Sequence, residues 1–224
     1  LVFGHNSFDS VTVSTTRNLF AFSFGTRDKD FGDAPASYDA GTPACHSNHL
    51  NTLKAPYARF GKLVDLELGP QASVKADGDD KDVSVIDVDK CALPNLSDED
   101  GISSGGFPKL SSSSSGLYSV TVSVYKNTAN AGDPAYVSGW IDFDGNGTFD
   151  PAEKATTSFT TNKTETTVTL SWNLSNYSCG STIVSGDTYC RIRIGTINAE
   201  ISNPTGNAAN GEVEDYALSI LGTD

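Results

Sequence analysis

Apolar and polar residues alternate in short stretches along much of the chain, and these stretches predict β-strands. The alternation is clearest over residues 118–124 and 191–194, where every second residue is apolar. Turn-forming pairs such as Asn210-Gly211 separate the stretches. The predicted strands are residues 11–14, 19–24, 117–126, 135–143, 166–172, 189–197 and 213–221. Helix signals are nearly absent, so the pattern predicts an all-β fold, a jelly-roll-like β-sandwich with long loops.

Composition agrees with one domain of this class. The chain has 224 residues, of which 37% are hydrophobic, and we predict a single sandwich domain over residues 1–224. Acidic residues outnumber basic ones 28 to 15, which gives a net charge of −13. Such a charge repels nucleic acid and anionic membranes, and no apolar run approaches the length of a membrane helix. We therefore expect no nucleic-acid partner and no membrane-embedded segment.

Residues 142–153 place oxygen-bearing side chains where a twelve-residue calcium loop needs them. Gly147 stands at position 6, where the chain must turn sharply, and Thr148 at position 7 would supply its backbone carbonyl. The side chains at positions 1, 3, 5, 9 and 12 are Asp142, Asp144, Asn146, Asp150 and Glu153. Because Ca²⁺ takes about six to eight oxygen ligands, this spacing predicts a calcium site. The alternative is a hairpin turn rich in Asp, Asn and Gly.

The residues that lead into this loop predict a strand and not a helix. Residues 135–141 are β-branched and aromatic, whereas an EF-hand needs a helix on each side of its loop. Sensor EF-hands act by reorienting those helices, and that mechanism is not available here. We therefore expect an ion that stabilises the fold or presents a ligand.

Further acids predict at least one more calcium ion. Asp79 and Asp80 follow a glycine, and Asp98, Glu99 and Asp100 precede one. Glycine permits the tight bends that turn neighbouring carboxylates towards one point. Asp33 is a further candidate ligand. The sequence favours a structural ion in the 142–153 loop, whose own oxygens nearly fill the coordination shell, and favours Asp79, Asp98 and Asp100 as the exposed site that presents calcium to a ligand. The alternative for these further acids is a solvated acidic loop.

Three acids near the C-terminal end of the chain occupy a predicted strand. If Tyr216 faces the core, Glu212 and Glu214 lie on the same side of the strand unless a bulge shifts the register. Asp215 is the third acid. A buried carboxylate needs a partner, which is either calcium or a Lys or Arg side chain.

The four cysteines allow two disulfides. Cys179 and Cys190 close a short loop between predicted strands, and Cys45–Cys91 follows by elimination. Disulfides indicate an oxidising compartment. The alternative is a zinc site formed by Cys45, His46, His49 and Cys91.

Residues 211–216, Gly-Glu-Val-Glu-Asp-Tyr, resemble the signature of GEVED domains. Further blocks match that family in the same order, namely residues 31–35, Asp65 with Glu67, residues 78–80, residues 98–101 and residues 139–143. The resemblance covers roughly residues 30–221. The cysteines and the segment 81–97 depart from the family pattern. Residues 1–29 lie outside the resemblance, as an added strand pair or as part of a neighbouring module.

The resemblance implies a function as well as a fold. GEVED domains occur in large secreted bacterial proteins, beside the repeats of RTX-type surface adhesins. Similar acidic modules there bind ligands in a calcium-dependent manner, and some recognise peptides through a free C-terminal carboxylate. As the partner, the resemblance implies a peptide or protein C-terminus on a host or neighbouring cell, held through a calcium-bridged carboxylate. The resemblance therefore implies a secreted or surface-exposed monomeric module of a longer chain.

One other binding class, one structural class and one catalytic class remain as alternatives. A calcium-dependent carbohydrate-binding module could stack a sugar on Tyr136 and Trp140, although aromatics in strands more often belong to a core. A spacer would use calcium only to stiffen the fold. An enzyme is disfavoured, because no histidine lies in a catalytic motif and acids clustered with Asn and Gly suit calcium better than acid catalysis.

Overall fold

The computed structural model describes residues 11–15, 18–22, 29–47, 57–64, 69–78, 86–87, 99–177 and 182–223. Over these ranges the strands are joined by loops and short 3-10 turns, and no α-helix occurs. The strands are β1 Val11–Thr15, β2 Asn18–Phe22, β3 Lys29–Phe31, β4 Ala44–Ser47, β5 Tyr57–Phe60, β6 Leu63–Val64, β7 Ile86–Asp87, β8 Leu117–Asn127, β9 Ala135–Ile141, β10 Lys154–Phe159, β11 Thr166–Asn173, β12 Gly186–Gly195, β13 Gly206–Ala208 and β14 Glu212–Ile220. The all-β prediction is confirmed. No helix in the described ranges is long and apolar enough to cross a membrane.

Two antiparallel sheets pack face to face and enclose the main core. The front sheet has the strand order β10-β9-β12-β14, and the back sheet has the order β11-β8-β5. Alternate residues of β8 point inward, so that Val120, Val122 and Val124 are at most 1% exposed. Leu170 of β11 joins them from the back sheet, and Ile192 of β12 faces them from the front sheet. This packing is the predicted β-sandwich.

All seven predicted strands form, and their ends differ from the prediction by up to three residues. The longest strand that the pattern missed is β10, whose sequence Lys-Ala-Thr-Thr-Ser-Phe does not alternate. It forms because every one of its residues pairs with β9, from Lys154 opposite Trp140 to Phe159 opposite Ala135. The other missed strands, β3 to β7 and β13, have two to four residues each and are too short to show a period.

A small third layer covers the outer face of the front sheet. It consists of the sheet β13-β4-β3 and the 3-10 turns Ala36–Asp39 and Asn198–Ile201. This layer contacts β9, β12 and β14. Arg191 and Arg193 of β12 point into it, and both are fully buried. The front sheet is therefore covered on both faces here, so polar side chains on its outer face must find partners inside the protein.

The segment before residue 30 contains the strand pair that the sequence suggested. β1 and β2 pair antiparallel, with Val11 opposite Phe22 and Thr15 opposite Asn18. The prediction that residues 1–224 form one domain stays a prediction.

Candidate metal site

Three acidic side chains of the 142–153 loop converge on one point. One carboxylate oxygen from each of Asp142, Asp144 and Glu153 lies within 4.8 Å of the other two. Asp142 directly follows β9, and Glu153 ends the 3-10 turn Pro151–Glu153 that leads into β10. Because β9 and β10 are paired neighbours in the front sheet, the sheet itself brings the two ends of the loop together.

The carboxylate of Asp142 organises the backbone of the loop. Its Oδ1 accepts hydrogen bonds from the N–H groups of Gly145 at 2.7 Å and Asn146 at 3.2 Å, and its Oδ2 accepts one from Gly147 at 2.9 Å. Gly147 has a φ of +81°, in the left-handed region that glycine adopts most readily. The sharp turn predicted at position 6 is therefore present, and it wraps the loop around Asp142.

Glu153 closes the loop from its other end and is 1% exposed. Its Oε1 accepts the N–H of Phe143 at 2.7 Å, and its Oε2 accepts the N–H of Asp150 at 2.9 Å. Burial raises the pKa of Glu153 to about 8, and the charges of Asp142 and Asp144 add to the rise. Burial also raises the pKa of Asp144. A bound cation would favour the charged forms of all three carboxylates.

The remaining predicted donors lie on the more exposed side of the loop. Asn146 Oδ1 accepts hydrogen bonds from the N–H and hydroxyl of Thr148, and Asn146 Nδ2 donates to Asp150 Oδ2 at 2.9 Å. Asp150 is not part of the group of three converging carboxylates. At position 9 of such loops the contact with the ion often runs through water. The predicted metal ligands are all oxygen atoms and mostly belong to carboxylates, which fits calcium and not zinc.

Tyr38 completes the surroundings of the loop, and sequence reasoning missed it. Tyr38 lies 104 residues before Asp142 and donates its hydroxyl to Asp142 Oδ2 at 2.7 Å. The ring of Tyr38 packs between Phe149 and Tyr189, with centroid distances of 4.5 Å and 5.1 Å. No local signal marks this residue, because the contact joins segments that are far apart in the chain.

A groove of about 270 Å³ lies beside this aromatic cluster. Its walls are formed by Val74, Lys75, Asp187, Thr188, Tyr189, Ala217, Leu218 and Ser219. The hydroxyl of Tyr189 donates to the carbonyl of Val74 at 2.7 Å, and the hydroxyl of Thr188 donates to the carbonyl of Asp142. Thr188 therefore lines the groove and also binds the 142–153 loop.

The two glutamates of β14 hold loops against the front sheet. β14 runs beside β12 in an unbroken register, so Glu212 and Glu214 point to the same side as Tyr216. Glu212 accepts the N–H of Phe60 at 2.5 Å, and Glu214 accepts the N–H of Gly101 at 3.0 Å and the hydroxyl of Tyr216 at 2.6 Å. Among the described residues, neither glutamate joins a group of three metal-ligating side chains.

Asp215 has the cationic partner that the sequence left as the alternative to calcium. Arg191 Nε and Nη2 donate to the two oxygens of Asp215 at 2.7 Å each, and both side chains are fully buried. Arg191 Nη1 donates to Asp39 at 2.9 Å, and the N–H of Ala34 donates to Asp215 at 2.7 Å. These contacts place Asp215 in a buried ion pair that fastens the third layer to the front sheet, with Arg191 as its cationic partner.

Asp33 and Asp100 also accept hydrogen bonds from loop backbone. Asp33 accepts the N–H of Gly78 at 2.7 Å, and Asp100 accepts those of Lys62 at 2.8 Å and Leu63 at 3.2 Å. Of the other residues predicted for a second calcium site, Asp79, Asp80 and Asp98 lie outside the described residues and Glu99 is half-buried. The second site, and ligand presentation by it, stay predictions.

The predicted disulfides each include a cysteine outside the described residues. Cys45 and Cys190 are buried, at 2% and 0% exposure, whereas Cys91 and Cys179 are not described. The pairs Cys45–Cys91 and Cys179–Cys190 therefore stay predictions.

His46 is fully buried, and both of its ring nitrogens have partners. Arg193 Nε donates to His46 Nε2 at 2.9 Å, so the ring proton is on Nδ1, which lies 3.3 Å from the carbonyl of Asn210 and donates to it. Neither nitrogen is available to a metal. The alternative of a zinc site at Cys45 and His46 is therefore not supported. Burial lowers the pKa of His46 well below its usual value, and the charge of Arg193 adds to this effect.

We expect His46 to make the folding stability depend on pH. Its folded-state pKa is depressed, so the unfolded chain binds a proton at a higher pH than the folded protein does. Stability from this group is therefore complete above pH 6.5 and falls by up to about 1.4 kcal/mol per unit as the pH drops below that value. Denaturant titrations between pH 5 and pH 7.5 on the wild type and on His46→Gln measure this slope. Equal slopes in the two proteins would contradict the prediction.

Comparison with known families covers the part of the chain that carries the acidic loop. Residues 136–219 match the family model of the GEVED domain, a range that runs from within β9 to within β14 and includes the 142–153 loop. Comparisons with curated proteins and with solved structures found no match. The family match rests on the same strands that hold Asp142, Glu153 and the glutamates of β14. The match supports a GEVED-type domain over residues 136–219.

Proposed function

We propose that this chain is a calcium-dependent ligand-binding module of a bacterial surface adhesin. In this proposal it binds the C-terminal carboxylate of a peptide or protein through a calcium ion. The observation that carries the proposal is the convergence of Asp142, Asp144 and Glu153 within 4.8 Å of one another. Secretion, the cell-surface location and the RTX-type adhesin setting are implied by the GEVED resemblance and form part of the proposal.

Calcium would supply the positive charge that balances the carboxylates of the 142–153 loop. The side chains of Asp142, Asp144, Asn146 and Glu153 and the carbonyl of Thr148 would hold it. Without a cation, burial keeps the pKa of Glu153 at about 8, so this group holds a proton near neutral pH. Calcium would replace that proton. Since an ion bound to the folded state stabilises it, calcium would also strengthen the end of the front sheet where β9 and β10 meet.

The ligand would approach from the exposed side of the same loop. Asp150 stands apart from the converging carboxylates, so one position around the ion would be left to water or to an outside carboxylate. The adjoining groove, with Val74 and Lys75 on its wall, would receive the last side chain of a peptide. Among the described residues, Asp100, which the sequence favoured for ligand presentation, joins no group of three metal-ligating side chains, whereas Asp142, Asp144 and Glu153 form one. This difference supports the 142–153 loop as the site that presents calcium to the ligand.

A binding screen tests the ligand class. Short peptides with free and with amidated C-termini are immobilised beside a glycan array, and binding is measured in millimolar calcium and in EDTA. We expect binding to peptides that is lost on amidation and in EDTA. Binding to sugars would instead indicate a carbohydrate-binding module, although Trp140 is 1% exposed and cannot stack a sugar. No binding, with a large rise of the melting temperature in calcium, would indicate a spacer.

A pair of isosteric variants tests whether calcium binds in the 142–153 loop. Asp144→Asn removes one converging carboxylate, and we expect calcium affinity to fall by at least the roughly 10–100-fold typical of lost outer-shell partners, together with peptide binding. Asp133→Asn is the matched control, because Asp133 is exposed and lies in a different turn, where it accepts a hydrogen bond from Asn130. Equal calcium affinity in the two variants would place the ion elsewhere.

A further inference from the structure

The 3-10 turn Ala36–Asp39 of the third layer rests directly on the 142–153 loop. The hydroxyl of Tyr38 reaches Asp142 Oδ2 at 2.7 Å, in a buried contact. A Cβ at Gly147 would lie 3.6 Å from the hydroxyl of Ser37, so the backbone of the loop also touches the turn. The loop and the turn therefore form one continuous interface, although Tyr38 and Asp142 are 104 residues apart in the chain.

The same turn is fastened to the front sheet on its other side. Asp39 accepts a hydrogen bond from Arg191 Nη1 at 2.9 Å, and both groups are buried. Tyr38 is 6% exposed, and its ring fills the space between Phe149 of the loop and Tyr189 of β12. The position of the Tyr38 hydroxyl is thus set by packing on both sides of the ring. It does not depend on the loop alone.

A donor held in this way can orient a metal ligand. Asp142 has two oxygens, and the backbone N–H groups of Gly145 and Asn146 bind Oδ1 while Tyr38 and Gly147 bind Oδ2. Tyr38 is the one side-chain donor among these contacts, and it comes from outside the loop. Partners of this kind fix the rotation of a ligating carboxylate, and their loss typically lowers metal affinity about 10–100-fold.

We propose that Tyr38 is a positioning residue for the calcium loop and that it couples calcium binding to the docking of residues 29–47 on the front sheet. This inference rests on the proposed function, because it requires Asp142 to bind calcium. Coupling between two equilibria is reciprocal. If docking of the third layer tightens calcium binding, calcium must tighten the docking of that layer by the same factor. Calcium would then stabilise the docking of residues 29–47 as well as the conformation of the 142–153 loop.

Tyr38→Phe tests the positioning role, because it removes the hydroxyl and keeps the ring that packs on Phe149. We expect the dissociation constant for calcium, measured by titration calorimetry, to rise about tenfold or more. Tyr216→Phe is the matched control, because it also removes a tyrosine hydroxyl that donates to a buried carboxylate, that of Glu214. We expect Tyr216→Phe to leave the calcium affinity unchanged.

Hydrogen exchange of the wild-type protein tests the coupling without any variant. We expect amides of residues 36–47 to exchange more slowly in calcium than in EDTA, and we expect this difference to shrink in Tyr38→Phe. If the wild type binds calcium and Tyr38→Phe binds it equally well, Tyr38 has no positioning role. If calcium leaves exchange in residues 36–47 unchanged, the coupling is absent. If the wild type does not bind calcium at all, the proposed function fails and this inference fails with it.

Discussion

Replacing Arg191 by methionine is expected to lower the free energy of unfolding by about 3–5 kcal/mol, the usual result of breaking a buried ion pair on one side. Arg191 and Asp215 are both fully buried, and Asp39 is almost so. Burial by itself lowers the pKa of Arg191, but the carboxylates of Asp215 and Asp39 outweigh it and raise this pKa. Methionine would fill much of the space and leave both acids buried without a cation. Chemical denaturation followed by circular dichroism measures the loss.

Arg59→Met is the matched control for this prediction. Arg59 is also buried, at 4% exposure, but the carboxylate that it binds belongs to Glu165, whose side chain is 39% exposed. Water can solvate Glu165 once the arginine is gone, so we expect a loss of only about 1 kcal/mol from this ion pair. Equal losses in Arg191→Met and Arg59→Met would show that the number of buried carboxylates does not set the cost.

The pairing of Arg191 with Asp215 also shows what the sequence could and could not predict about charged residues. An acid inside an apolar strand needs a partner, and this much follows from the sequence alone. The identity of the partner does not, because Asp215 and Arg191 lie on neighbouring strands whose register comes from the fold. Asp39, which completes the cluster, is 152 residues away from Arg191.

The same distinction applies to the strands. Those with clear alternation, such as β8 and β12, were predictable because one of their faces meets a single core. β10 was not, since its residues alternate poorly and its pairing with β9 determines its conformation. Short strands such as β3 and β13 belong to the third layer, and no local sequence pattern predicts how that layer packs.

The acidic loop is the part of the candidate site that spacing predicted best. Asp142, Asp144 and Glu153 lie within twelve consecutive residues, so their spacing could be read from the sequence. Their carboxylates converge because the loop starts and ends on paired strands. Spacing also suggested Asp150 as a ligand; its carboxylate accepts a hydrogen bond from the amide of Asn146, and its contact with calcium stays a prediction. Tyr38 was not predictable, because its contact with the loop arises only when the third layer folds onto the front sheet.

Replacing Gly211 by alanine is expected to destabilise the protein by about 3 kcal/mol or more, for two separate reasons. Gly211 has a φ of +117°, which costs about 1–3 kcal/mol in a residue with a side chain. A Cβ at this position would also lie 1.8 Å from the carbonyl oxygen of Ile194 and 2.9 Å from His46 Nδ1. Relief of such a clash requires the backbone of β12 or β14 to move, at a further cost of about 1–3 kcal/mol. Gly211 directly precedes Glu212, so this movement would disturb the start of β14.

Gly105→Ala separates the two causes, because Gly105 has a φ of +78° but a Cβ there would meet nothing within 4 Å. We expect Gly105→Ala to show the backbone cost alone and Gly211→Ala to show the sum, in denaturation curves recorded side by side in calcium. The close approach of Gly211 to β12 explains why the first residue of the Gly-Glu-Val-Glu-Asp sequence is glycine. It lets β14 start beside Ile194, and the register that follows brings Glu212, Glu214 and Asp215 to their partners. Equal losses in the two variants would mean that backbone conformation, and not the contact with Ile194, accounts for the glycine.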